Sequence, residues 1–237
     1  SDLLDKAIAD LEARLSLKPG EVPKAAGNNN AGGPKPAKKA KQPKNNNNNN
    51  KSKNQPSATT PPTDQPDICK LEFKVGQITK VWNHPEADKL YCEEIDVGEE
   101  NVRQIASGLR PHFSLEEMQG QRLLVVSNLK AKNLVRFKSH GMVLCAAQTL
   151  EDGSSEKVEF IEPPEGAKIG EVVTFEGLPA PIPFSAAQVE KRKVFQACMD
   201  GMKTTVEDGV AAWNGHVFTT SAGPCKAKTI KGGVMRQ

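Results

Sequence analysis

Three observations predict a mainly β fold: apolar and polar residues begin to alternate at residue 68, four further alternating segments follow up to residue 147, and one short capped helix interrupts them. Leu71, Phe73 and Val75 open the first strand, Gly76 is read as a bulge, and Ile78 and Val81 carry the strand on. The turn Asn83-His84-Pro85 leads to a second strand over 90–97 and a third over 103–107. Ser114 followed three residues later by Glu117 is a capping box, so 114–118 is read as a helix. The fourth strand is predicted at 122–127 and the fifth at 142–147. A helix between the third and fourth of five strands is the order of an oligonucleotide-binding (OB) barrel. Periodicity by itself fits other small barrels as well.

The whole chain is too lean for one compact core, with 37% apolar and 5% aromatic residues in 237 and a mean hydropathy of -0.54. Its net charge of +3 is unevenly placed. Residues 24–66 carry eight Lys against Asp64, whereas residues 1–23 have three bases and five acids, and residues 67–237 have 21 bases and 23 acids. With ten Asn, seven Pro and Ala as its only aliphatic side chain, 24–66 has nothing to offset an ordering cost of about 1–2 kcal/mol per residue. It is expected to be a disordered basic linker, serving either as a tether or as an electrostatic arm for a polyanion. Ahead of it, Leu4, Ile8, Leu11 and Leu15 recur at helical spacing behind Ser1, so 1–23 is read as a short amphipathic helix whose apolar stripe docks either on a partner or on sequence outside this chain. Membrane insertion is not expected, because no purely apolar run, Leu123 to Val126 and Met142 to Ala147 included, approaches the ~18–20 residues that span a bilayer. Five cysteines, no two close in sequence, and no secretory-type start point to a reducing compartment with buried thiols.

The chemistry-bearing signal is charge. From residue 119 to residue 149 there is no acid, while Arg122, Lys130, Lys132, Arg136 and Lys138 fall there, four of them leading into the fifth strand. Asn128, Ser139 and His140 add hydrogen-bonding groups, and Phe137 and Met142 offer surfaces on which a base can rest. The last 29 residues are also free of acids and hold Lys226, Lys228, Lys231 and Arg236. A single Lys is ordinarily a solvated surface charge; a cluster without acids is a polyanion site. Catalytic strings are lacking. His84-Pro85-Glu86 has the H-x-E form of a zinc deaminase with no P-C-x-x-C after it, and neither a Walker A nor a G-x-S-x-G string occurs. His84 is read as a turn residue and Tyr91 as a half-buried barrel side chain, and no cofactor or metal is implied.

Several strings occur in order: V-G-Q-I-T-K-V (75–81), H-P-E-A-D-K-L-Y (84–91), I-D-V-G (95–98), S-G-L (107–109), N-L-K (128–130) and S-H-G-M (139–142). Together they resemble the tRNA-binding domain family, found as bacterial dimers and as appendices to methionyl- and tyrosyl-tRNA synthetases. The later segments G-A-K-I-G-E-V-V-T-F and P-C-K-A-K-T-I-K-G-G are similar to the long form, that of endothelial monocyte-activating polypeptide II and of proteins that hold synthetases together. The resemblance implies an OB barrel over 67–150 that binds tRNA by shape, and over 151–237 a C-terminal α+β extension acting as a pseudo-dimer module, hence a monomer. It implies a cytoplasmic, non-catalytic tRNA-binding protein in a multi-synthetase complex that delivers or retains tRNA for synthetases. Three alternatives stay open: an appended module of a methionyl or tyrosyl enzyme, a released cytokine-like polypeptide, and a partner of a ribosome or other large RNA. Asn128, Lys130, Ser139 and Met142 match the family's RNA-facing motif, and the cluster adds Lys132, Arg136 and Lys138. Where relatives carry a Lys-Met-Arg-Gly-like stretch, this chain reads Lys132-Asn133-Leu134-Val135-Arg136-Phe137, with one base displaced and no glycine.

Overall fold

The computed structural model describes residues 64–150, 153 and 155–236. The amphipathic helix expected at 1–23 and nearly all of the linker expected at 24–66 lie outside the described residues. A 3-10 turn, Asp67–Lys70, precedes β1 (Phe73–Asn83), β2 (Tyr91–Asp96), β3 (Arg103–Ser107), α1 (Leu115–Met118) and β4 (Arg122–Val126). Then come β5 (Lys132–Leu134), β6 (Phe137–Ser139), β7 (Met142–Val143), β8 (Cys145–Thr149), β9 (Glu156–Phe160) and β10 (Thr174–Phe175). Helices α2 (Ala186–Lys191) and α3 (Val194–Met199) are followed by β11 (Met202–Thr204), β12 (Ala211–Trp213), β13 (His216–Thr220), β14 (Gly223–Pro224) and β15 (Val234–Arg236). No described helix is long and apolar enough to cross a membrane.

The first sheet has the order β3-β2-β1-β4-β7 and curls into a nearly closed barrel. Its free edges approach one another where the His140 N–H donates to the Gln104 carbonyl at 2.8 Å. Ile78, Ile95, Ile105, Leu123, Val125 and Val143 fill the inside, together with Met118 from α1. The capping box predicted for α1 is present, Ser114 Oγ accepting from Glu117 N–H and the Glu117 carboxylate from Ser114 N–H. Gly76 is no bulge: it pairs in register with Leu123, and the irregularity falls between Ile78 and Lys80. A Cβ at Gly76 would stand 3.0 Å from the Ile95 side chain, so the position needs glycine for close packing.

The fifth strand departs most from expectation. It breaks at Leu144, leaving β7 on β4 and sending β8 into a second sheet of order β10-β13-β12-β11-β15-β8-β9. Leu144 is the crossing point, donating its N–H to Leu124 O at 3.0 Å and accepting from Ile161 N–H at 3.1 Å. The consequence is a second core on the outside of the barrel. Phe73, Val75, Leu124, Val126 and Leu144 pack there with Phe175, Phe184, Phe218 and Met235 from later in the chain. Phe73, Phe175 and Phe218 meet edge to face at centroid distances of 4.9 to 6.0 Å. Both faces of β4 are therefore buried, which is why Leu123 to Val126 reads as an unbroken apolar run rather than an alternation. All five cysteines are free and buried; burial pushes the Cys198 and Cys225 thiols up to about 12.

Candidate nucleic-acid interface

The cationic stretch between Asn128 and Met142 is a β-hairpin rather than an irregular loop. Lys132 pairs with Ser139, Asn133 with Lys138 and Leu134 with Phe137. Val135 and Arg136 alone make the turn, at φ of 45° and 65°. Positive φ at both central residues belongs to the two-residue hairpin turn whose twist matches its strands, usually built from Asn and Gly. Here the turn holds a β-branched and a long side chain in a region that costs non-glycine residues about 1–2 kcal/mol each.

Such strain persists only if the surroundings over-determine the turn, and both roots of the hairpin are fixed. Asn128 accepts from the Glu72 N–H at 2.9 Å and donates to the carbonyls of Lys70 and Phe184 at 2.9 and 3.0 Å, so its amide is spent on backbone. At the other root the buried Ser139 Oγ accepts from Ala106 N–H and donates to Gly141 O, both at 3.1 Å. Arg103 spans the two roots, donating to the carbonyls of Ser127 and His140. Glu99 grips the far side of that guanidinium at 2.7 and 2.8 Å. Hydrogen bonding from Arg103, helped by Lys74 and opposed by burial, holds the Glu99 carboxyl down to about 2.

The seven residues read from sequence divide accordingly. Lys130, Lys132, Arg136 and Lys138 are exposed, the last three on one hairpin. Asn128 and Ser139 set its geometry, while Met142 is half-buried against the outer core. Two of the cations already hold acids: Lys130 Nζ lies 2.8 Å from Glu190 on α2, and Arg136 lies 2.9 Å from Glu86. Exposed pairs of this kind are worth about 0–1 kcal/mol, so either acid yields readily to a phosphate. His84 is buried and its Nδ1 accepts from the Glu86 N–H at 3.1 Å, the turn role expected of it. Among the described residues no cluster of three or more His, Cys, Asp or Glu could hold a metal ion.

Sequence reasoning missed the flank of the hairpin. The Phe137 ring lies edge-on to Trp82 at 6.1 Å and to His84 at 6.3 Å, and the Lys80 ammonium stands 5.1 Å from the centre of the Trp82 ring. The signal was available, since Lys80 and Trp82 are two apart on a strand and so share a face. What could not be read was that residue 137 folds back onto residue 82.

A family model described as "Putative tRNA binding domain" matches residues 73–172. The crystal structure of the C-terminal domain of Plasmodium vivax p43 is 34% identical with a TM-score of 0.65, covering 72% of this chain and 99% of that one. A probable methionine-tRNA ligase of Oryza sativa subsp. japonica is 44% identical over 71% of this chain and 20% of its own length. The cytoplasmic tyrosine-tRNA ligase of Danio rerio is 36% identical over 72% of this chain and 32% of its own. The aminoacyl tRNA synthase complex-interacting multifunctional protein 1 of Cricetulus griseus is 35% identical over 74% of this chain and 46% of its own. The chain thus spans between a fifth and just under half of these curated relatives.

Proposed function

Since the chain belongs to the tRNA-binding domain family, we propose that it is a non-catalytic tRNA-binding protein serving aminoacyl-tRNA synthetases, the methionyl and tyrosyl enzymes among them, in the cytoplasm. The observation that carries this reading is the exposed hairpin of Lys132, Arg136 and Lys138, set in a stretch from 119 to 149 without one acid. Its fixed roots hold those cations in a defined pattern, as recognition of a folded RNA contour requires. The five-stranded sheet is an OB barrel, with the hairpin as the arm beside its mouth. The extension after residue 150 covers the outer face of β1 and β4 with Phe175 and Phe218, as a second barrel would, and so keeps the chain monomeric. The Lys-rich segment 24–66 adds phosphate attraction that does not depend on sequence.

The full chain is therefore expected to retard unfractionated tRNA in a native gel, with log affinity falling linearly in log salt by about 0.7 to 0.9 per phosphate contacted. Lys132→Ala with Lys138→Ala should weaken retention about tenfold and reduce that slope by one to two contacts. Equal retention by the double variant at every salt concentration would sink the assignment of the hairpin. A second reading, an RNA-binding module within a longer synthetase, is favoured by the 44% identity to a methionine-tRNA ligase of which this chain spans 20%. Sequencing the parent transcript separates the two: a synthetase catalytic domain in the same reading frame fits the module, and a frame without one fits the accessory role.

A further inference from the structure

Beside the cationic hairpin lies a small aromatic surface that phosphate attraction leaves unused. Trp82 and Phe137 are both half-buried rather than enclosed. Their planes meet at 72° with centroids 6.1 Å apart, and the buried His84 ring stands 6.3 Å behind Phe137 at 73°. The two outer rings thus form a corner, and the imidazole against Phe137 is fixed through its Nδ1. Lys80 stands 5.1 Å over Trp82 on one side, and Arg136 adjoins Phe137 on the other. Glu86 neutralises Arg136 in the free protein through the exposed 2.9 Å pair, leaving Lys80 as the standing positive charge beside the corner.

Neither Trp82 nor Phe137 belongs to the barrel core or to the outer core. Trp82 points off the outer side of β1 near its end, away from both cores, and Phe137 sits on a hairpin that joins neither main sheet. An exposed aromatic corner between cations matches one ligand chemistry: a flat heterocycle carried on a polyanion, the cations taking the flanking phosphates and a ring face taking the base. We propose that Trp82 and Phe137, with Lys80 and Arg136 beside them, form a stacking site for one unpaired nucleobase of the bound RNA. The protein then engages an unstacked nucleotide of a loop or an end as well as the folded contour. This inference rests on the tRNA-binding reading above and adds to it a contact with a base.

Trp82 supplies its own test. The chain has two tryptophans, and Trp213 lies far along the sequence on β12, packed against the outer core. In full-length protein carrying Trp213→Phe, Trp82 is the only indole fluorophore. Titration with unfractionated tRNA, and separately with an unstructured oligoadenylate, is expected to quench its emission in step with binding followed by gel retardation. Replacing Trp82 by Phe should keep affinity for the oligoadenylate within about twofold. Trp82→Leu, which keeps bulk but has no π face, should lower it about fivefold or more. If tRNA is retained while the emission stays constant and the Leu and Phe variants bind alike, the stacking site is refuted and the tRNA-binding reading stands. If no tRNA is retained even in dilute buffer, the reading fails and the stacking site falls with it.

Discussion

Val135 and Arg136, at φ of 45° and 65°, store strain at the tip of the hairpin that the proposed interface depends on. Asn tolerates that region far better than a β-branched residue, so Val135→Asn should relieve about 1 kcal/mol locally. Backbone amides of β5 and β6 should then exchange with deuterium several-fold more slowly; unchanged or faster exchange would show that the turn is not strained as described. A second residue sets a pH dependence. Glu93 lies on β2 with no exposed surface, hydrogen-bonded to Ser107 through one carboxylate oxygen while the other has no partner. Burial, only partly offset by Ser107, pushes its carboxyl up to about 8 from the ordinary glutamate value of 4.5. The folded state therefore holds a proton that the unfolded state has released between these values, and stability falls as pH rises through that window by about 1.4 kcal/mol per unit. Glu99, held down to about 2, acts the other way and only at acid pH, where stability is lost as pH falls. Urea midpoints should accordingly be higher at pH 5.5 than at pH 8.5, and Glu93→Gln should largely flatten the difference. Equal midpoints in the parent protein would remove Glu93 from this account.

At the scale of elements, legibility followed locality. Strands β1 to β4 were readable because alternation is a local property, and α1 because Ser114 and Glu117 carry its cap within four residues. The hairpin was not readable. Its turn is set by the fixed roots at Asn128 and Ser139 and not by turn-forming residues, so Val135-Arg136 gave no signal of its own. The fifth strand was read as continuous because Met142 to Ala147 is uniformly strand-compatible; only the docking of β9 and β15 shows that it changes sheets at Leu144. The same division holds for the interface. Clustered charge was visible in sequence, but the spending of Asn128 and Ser139 on backbone, and the meeting of residues 82 and 137, depend on contacts 33 or more residues apart that no local pattern encodes.

For the molecule as a whole, the two cores make the barrel and the later chain interdependent. Strand β8 lies before residue 150 yet pairs with β9 and β15, which lie after it. The outer faces of β1 and β4 are covered by residues drawn from 161 to 235. Ending the chain at residue 150 would expose Phe73, Val75, Leu124, Val126 and Leu144, each worth about 1.5–3 kcal/mol when buried. Their sum, on the order of 10 kcal/mol, rivals the entire stability of a typical domain. Fragment 64–150 is therefore expected to have no stable monomer, and sedimentation should find it self-associated through that face or unfolded. Phe218→Ala probes the same contact within the full chain, since Phe218 sits between Phe73 and Phe175 at 5.0 and 4.9 Å; it should cost about 3–5 kcal/mol in urea denaturation. A 64–150 fragment that sediments as a folded monomer with cooperative unfolding would mean that the outer core is dispensable and that the extension has some other use.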